Sequence, residues 1–322
     1  MNITRMRHQL MIALTLSPFA AQGQQFPDKA IRLVVPYAAG GGTDIIARLL
    51  ARKLSDGWGH GVVVDNRAGG GTIIGTELVA RSAADGHTLL LTANPYITNA
   101  VLNPKLSYDP ARDFAPITMV ASAPLLLVVN PTLPVRSIGE LTAYAKERPG
   151  RLSFGSSGNG GPQHLAGELY KSMAGVEMVH IAYKGSAPAG TALLGGEVQV
   201  GFVTMTFVTP FVKAGRLRAL AVTSLERSTL MPELPTISES GLAGYEAAAW
   251  YGVFAPTGTP RAIATTLNAE ITRVARLAEI RDRLAKEGAE VVANDSAGFA
   301  AFLQAETERV RKLAEFTAIK LD

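Results

Sequence analysis

The sequence predicts an α/β protein of two domains joined by two crossing strands, and three observations carry that reading. Short β-branched runs alternate with segments of helical period through glycine-rich turns, the signature of βαβ units on a parallel sheet. That alternation occurs twice, before and after a long extended stretch over residues 113–130. A second extended stretch, Tyr245 to Ala255, leads back from the second set to the first. The length of 322 residues fits two domains of ordinary size.

Each element follows in order. Ile31 to Pro36 is a β-branched run, Ala38 to Asp44 a glycine turn, and Ile45, Ile46, Leu49, Leu50 and Leu54 then recur at helical spacing. The unit repeats with Val62 to Asp65 as strand, Asn66 to Thr72 as glycine loop and Ile73 to Arg81 as helix, before a third strand at Thr88 to Thr92. Asp113 to Asn130 holds two aliphatic runs broken by Pro124 and shows no helical period, so it reads as a strand passing between domains. The second set has a helix at Ile138 to Lys146, a strand at Leu152 to Gly155 ending in Ser156 to Pro162, and a helix at Gln163 to Met173. Strands follow at Met178 to Ile181, Val198 to Phe202 and Leu217 to Thr223. Two helices close the chain, Pro260 to Glu287 and Ser296 to Phe316, the second capped by Ser296. The expected division is 24–122 plus 252–322 for the first domain and 123–251 for the second.

Composition sets limits. With 47% hydrophobic and 18% charged residues, the chain can bury a large core. The absence of cysteine excludes a disulfide scaffold, a thiolate zinc site and a cysteine nucleophile. The 31 basic and 27 acidic residues are not clustered, which speaks against a nucleic-acid partner. Residues 1–23 read as a cleaved signal peptide: Arg5, Arg7 and His8 precede the apolar run Leu10 to Ala21, and Ala21-Gln22-Gly23 supplies small residues for cleavage. That run is shorter than the ~20 residues a membrane span needs. Export is expected, with Gln24 as the mature N-terminus.

The two glycine loops carry the chemistry. A helix start leaves backbone N–H groups unpaired and holds about half a positive charge, and glycine lets an anion reach it. Tyr37 to Asp44 and Ser156 to Pro162 are two such devices, and Ser156, Ser157 and Asn159 add side-chain donors. Neither loop matches a P-loop or the dinucleotide fingerprint, and Gly155-Ser156-Ser157-Gly158-Asn159 misses the nucleophile elbow at its last position. His164 and Glu168 share a helix face but lack a third metal ligand, and the expected place for His164 is a donor at the helix start or one half of an exposed pair. No metal or cofactor is expected. A serine hydrolase using Ser156 or Ser157 with His164 as base stands as an alternative, without an acid to orient the histidine.

Val35 to Asp44, Asp65 to Gly71, Gly158-Asn159-Gly160 through Glu168, Tyr183 to Pro188, Ala214 to Val222, Pro235-Thr236-Ile237 and Phe254 to Pro260 match one pattern in order. Together they resemble the Bug family, the TctC-like periplasmic solute-binding receptors of tripartite tricarboxylate transporters. The resemblance implies a type II periplasmic binding protein fold closing over a small carboxylated solute. It implies ligand contacts from Tyr37, Ala38, Ala39, Gly40, Gly41, Gly42 and Thr43 in the first loop, and from Ser156, Ser157, Gly158, Asn159 and Gly160 in the second. His164, Thr204 and, after the third strand, Asn94 and Asn99 complete the expected lining. It further implies a membrane permease as partner and, for some members, a sensor kinase of a two-component system.

Many family members place an aspartate after the strand equivalent to Val198–Phe202, where this chain has Val203, Thr204, Met205 and Thr206. A buried α-ammonium would then lack an anionic partner, because Asp44 is expected to cap its helix. The ligand is accordingly expected to be a carboxylate without a free amino group.

Overall fold

Four of the five side chains of β1 (Ile31–Val35) are buried, as befits a central strand covered on both faces. In the computed structural model, which describes residues 26–183, 185–286 and 288–317, β1 lies between β2 (Val62–Asn66) and β3 (Thr88–Thr92), parallel to both. The proposed signal segment lies outside the described residues. Helices α1 (Gly42–Trp58) and α2 (Ile73–Ala80) return the chain between these strands, and α3 (Pro95–Leu102) follows the third.

The 16-residue strand β4 (Phe114–Val129) then links two lobes. Its first part pairs antiparallel with β9 (Ala248–Pro256), from Phe114 opposite Pro256 to Pro124 opposite Ala248. From Leu125 onward its partners are β7 (Val200–Thr204) and β8 (Arg218–Val222). Pro124 has no N–H to donate, so the change of partners falls where the ladder is already interrupted. Thr223 fastens this point: its Oγ1 accepts from the Leu125 N–H at 2.7 Å and lies 2.6 Å from the Ala247 carbonyl as donor. The second lobe adds α4 (Ile138–Glu147), β5 (Leu152–Ser156), α5 (Pro162–Ala174), β6 (Met178–Ala182), α6 (Ser186–Gly195) and α7 (Met205–Lys213). The first lobe closes with α8 (Arg261–Ala275), α9 (Ala278–Lys286), the short β10 (Glu290–Val291) and α10 (Ser296–Thr317). The sheet runs β2-β1-β3-β9-β4-β7-β5-β6, with β8 and β10 also on β4. Apolar clusters cover both sheet faces, and the one around Trp250 and Phe254 also takes in Leu165 of α5 from the second lobe.

Four expectations need correction. The helix expected over 260–287 is two helices: α8 ends at Ala275, the guanidinium of Arg276 just beyond it donates to the Ala293 carbonyl, and the turn lets both Ile271 and Ile280 reach the core. Ser296 is not the cap of α10: Asp295 Oδ1 accepts from the Gly298 N–H at 2.7 Å, while Ser296 Oγ donates to the Ile117 carbonyl. The strand expected at 198–202 is shifted to Val200–Thr204 by its pairing with β4. Helices α3, α6 and α7 were not expected, since their sequences carry Pro, Gly, Thr, Val and Asn in place of strong helix formers.

Packing at the crossing is tight enough to test. A Cβ on Gly252 of β9 would sit 2.2 Å from Cζ of Phe299, a fully buried ring packed on Trp250, Phe254 and Phe302. Gly252→Ala is expected to destabilise the fold by about 1–3 kcal/mol, the usual scale of overpacking, read as a lower urea midpoint. An unchanged midpoint would mean that Phe299 has room to move.

Candidate functional site

Strand directions bring the two glycine loops together. β1 and β3 end at the level of β4 residues 119–122, because Thr92 pairs with Gly252 and Gly252 with Met119. β7 arrives from the other side and ends with Thr204 opposite Leu125, with β5 parallel beside it. The carboxyl ends of both lobes' strands therefore converge on the middle of β4, where ligands sit in open α/β sheets. A direct contact joins them: Thr98 Oγ1 on α3 donates to the Gly160 carbonyl at 3.0 Å.

The first loop is organised by Asp44. Gly41 precedes α1 in an extended conformation without a side-chain cap, so Asp44 does not occupy the N-cap and stands instead in the first turn. Its Oδ2 accepts from the Gly40 N–H at 2.8 Å and from Arg48 Nε at 2.9 Å, and its Oδ1 accepts from Asn66 Nδ2 at 3.0 Å. Burial alone would raise this carboxyl, but those hydrogen bonds outweigh it and hold it below the ordinary range. Gly40 needs its positive φ of 85° to make the turn. The Ile45 N–H is the first to reach back into the turn, to the Gly41 carbonyl, so the N–H groups of Gly42, Thr43 and Asp44 have no intrahelical acceptor. Tyr37 is packed against the first core with its hydroxyl 3.4 Å from Thr92 Oγ1, and burial pushes its pKa up, so it stays protonated. Tyr251 of β9 stands beside the helix start, its hydroxyl 3.3 Å from where a Cβ on Gly42 would lie.

The second loop is held from within. Gln163 Oε1 accepts from the Ser157 N–H at 2.7 Å, and His164 Nδ1 accepts from the Gly160 N–H at 3.0 Å. Ser156, with no exposed surface, donates through Oγ to the Gly158 carbonyl and accepts from the Gly158 N–H. The same Oγ lies 2.6 Å from His180 Nε2, within hydrogen-bond reach. The His164 and His180 rings stack at 3.8 Å with 10° between planes. Burial first, then His180 and Lys171, push the His164 pKa down to about 3. The neutral His164 imidazole and the His180 ring stacked on it therefore brace this loop.

The expected lining residues fall into two groups. Loop residues 37–43 and 157–160 gather at the convergence, and Thr204 stands half-buried at the end of β7. By contrast Ser156, expected to add a side-chain donor, is wholly buried with its Oγ turned to Gly158 and His180. The Thr206 side chain lies outside the described residues. Asn94 is buried and its amide is engaged by β9, donating to the Ala248 carbonyl at 3.0 Å and accepting from the Trp250 N–H at 3.2 Å. Asn99 donates to the Gly71 carbonyl at 2.8 Å and to Thr72 Oγ1. His164 is neither a helix-start donor nor part of an exposed pair: it is 5% exposed and acts as an acceptor. Glu168 is equally buried, with both oxygens 2.8 Å from Lys171 Nζ. The hydroxyl–imidazole pair is Ser156 with His180, not with His164 as the hydrolase alternative required. Trp250 and Tyr251 part company, the first in the core and the second at the loop.

Sequence reasoning missed Thr98, Gln163 and His180. A histidine in the otherwise apolar strand β6 was the readable signal for His180; a lone Thr on α3 offered none. A solvent-open groove of about 1000 Å³ lies apart from the convergence, between α3, residues 106–114 and α10. It belongs to one lobe alone and carries charges of both signs, so strand topology, and not cavity size, points to the candidate site. Among the described residues no group of three or more His, Asp or Glu side chains could hold a metal, and no helix is long and apolar enough to cross a membrane.

Two α/β lobes on crossing strands, with helix-start loops meeting between them, define a periplasmic binding protein. The chain belongs to the tripartite tricarboxylate transporter receptor family, TctC, whose family model matches residues 46–319. It is 38% identical to BugT of Bordetella pertussis over the full length of both chains. Among solved structures it is similar to Rpa4515 of R. palustris with adipate, at 38% identity and a TM-score of 0.82, covering 92% of this chain and 100% of that one. It is likewise similar to MatC of Rhodopseudomonas palustris with bound malate, at 30% identity and a TM-score of 0.78, covering 89% and 99%.

Proposed function

We propose that this protein is an exported periplasmic receptor that captures a small carboxylate between its lobes and delivers it to the membrane permease of a tripartite tricarboxylate transporter. The observation that carries the reading is the meeting of the two helix-start loops at the middle of β4. The adipate and malate held by two relatives support a carboxylate. The first loop receives the anion: its α1 N–H groups lack helical acceptors, whereas several N–H groups of the second loop are taken by Gln163, Ser156 and His164. The second loop then offers Ser157 and Asn159 side chains, with Thr204 beside it. We infer two domains, 24–122 with 252–322 and 123–251; the exchange of partners along β4 at Pro124–Leu125 supports the first crossing. Cleavage after Gly23 completes the proposal.

The ligand lacks an ammonium group in this reading. The one acidic side chain within the two loops is Asp44, and its oxygens are engaged by Gly40, Arg48 and Asn66. A desolvated ammonium left without a counter-charge costs several kcal/mol. Mass spectrometry of co-purifying ligand, then calorimetry against dicarboxylates and matched amino acids, tests both claims. Succinate-type and adipate-type acids are expected to bind at least tenfold tighter than aspartate or glutamate, a gap of about 1.4 kcal/mol or more. Tighter binding of an amino acid than of its deaminated partner would refute the ligand class, and failure of every carboxylate would refute the function.

A further inference from the structure

Helix α3 reaches three structures at once. Asn94, at its start, is bonded to the crossing strand β9 at Ala248 and Trp250. Asn99 holds the Gly71–Thr72 turn of the first lobe. Thr98, four residues after Asn94 and so on the same helix face, crosses to the second lobe and donates to the Gly160 carbonyl at 3.0 Å. Gly160, with φ of 72°, thus has its two peptide groups held from opposite sides: the N–H by His164 of its own lobe, the carbonyl by Thr98 of the other.

We propose that Thr98 is a positioning residue whose hydroxyl latches the second-lobe ligand loop to the first lobe and sets the separation of the two loops. Thr98 is 1% exposed, and Leu165, from the helix that follows the loop, packs in the same apolar cluster as Tyr96, Ile97 and Trp250. Water is therefore kept from the bond, which strengthens it. The hydroxyl also has a second acceptor ready, the Asn94 carbonyl at 3.2 Å one turn back. When the lobes part, Thr98 falls back on Asn94 and Gly160 turns to solvent, so neither group is left unpaired. That alternative is what makes the contact releasable, since an orphaned buried group would otherwise oppose opening. Ligand bound between the loops and the Thr98 bond then favour the same closed arrangement. The effect on affinity rests on the solute-binding reading above; the effect on lobe geometry does not.

The test uses the whole mature chain. Because the sequence has no cysteine, Arg52→Cys and Glu147→Cys on exposed helical positions of the two lobes supply the sole sites for spin labels. Inter-label distances are measured without ligand and with adipate or malate, in Thr98, Thr98→Val, Thr98→Ala and Thr98→Ser backgrounds. Thr98→Val is isosteric but cannot donate, and Thr98→Ala repeats the loss with less crowding in case the valine variant does not fold. Both are expected to give longer, broader distances without ligand, and roughly 3–10-fold weaker binding of the acid that the parent binds. Thr98→Ser, which keeps the hydroxyl, is expected to match the parent in both readouts. Unchanged distances in the valine and alanine variants would overturn the latch, as would a serine variant that behaves like them. If neither acid binds the parent, the ligand-free distances still decide the latch, and it is the solute reading for those acids that fails.

Discussion

Gly41→Val is expected to weaken ligand binding by a hundredfold or more while leaving the fold essentially intact. Gly41 is the residue before the first turn of α1, with φ of −81° and ψ of 168°, a conformation that any side chain can adopt. A Cβ there would meet only the Ala38 carbonyl oxygen, at 3.7 Å, so the protein itself has room for it. The space it would fill is the approach to the N–H groups of Gly42, Thr43 and Asp44. An anion bonded to those groups at about 2.9 Å cannot share the approach with an isopropyl group. Losing two such charge-assisted bonds is worth about 3 kcal/mol or more, which is the hundredfold. Calorimetry beside a thermal melt separates the outcomes: full affinity in a well-folded variant would remove the first loop from the site.

The second large effect is acid sensitivity. His164 is neutral in the fold, with its pKa pushed down to about 3, against an ordinary value of 6.5 in the unfolded chain. Below pH 6.5 the unfolded chain takes up a proton that the folded one refuses. Stability is therefore fully present above that pH and falls toward pH 3 by up to about 1.4 kcal/mol per pH unit, several kcal/mol in all. Protonation would also turn Nδ1 from acceptor to donor and expel the Gly160 N–H. Carboxylates such as Asp44 titrate in the same direction, so the difference between proteins is what decides. His164→Asn keeps an acceptor near the Nδ1 position and cannot titrate; its urea-derived stability should fall less steeply between pH 6 and 4 than the parent's. Parallel pH profiles for the two proteins would show that His164 is not the group responsible.

Much of this molecule was legible because its signals are local. The β-branched run of β1, the two aliphatic runs of β4 and the aromatic return strand β9 each announce themselves within a few residues. A fully buried strand must be apolar on both faces, and a strand that crosses between lobes has no helical period to imitate. The glycine loops were legible for a related reason: a strand that hands over to a helix in a few residues, with backbone close to a ligand, leaves few residue types that fit. Family resemblance then ordered these pieces. The helices that escaped notice, α3, α6 and α7, are those whose residues have weak helix propensity and whose stability comes from what they pack against. For α3 that includes the crossing strand and both lobes' loops.

By itself, then, the sequence determined the α/β class, the two crossings, the export signal as an expectation, and which two loops could meet an anion. Tertiary structure alone decided how those loops are held. A serine hydrolase would pair Ser156 or Ser157 with His164, yet the imidazole partner of Ser156 is His180, 24 positions away and delivered by the parallel pairing of β5 with β6. Asp44 reads as a capping residue, but its partners Asn66 and Arg48 come from the end of β2 and the next turn of α1. Thr98 finds Gly160 only because β3 and β5 approach the middle of β4 from opposite directions. Local propensity and pattern act over a few residues, whereas a hydrogen bond between two lobes depends on strand order and direction, which no single stretch of the chain encodes.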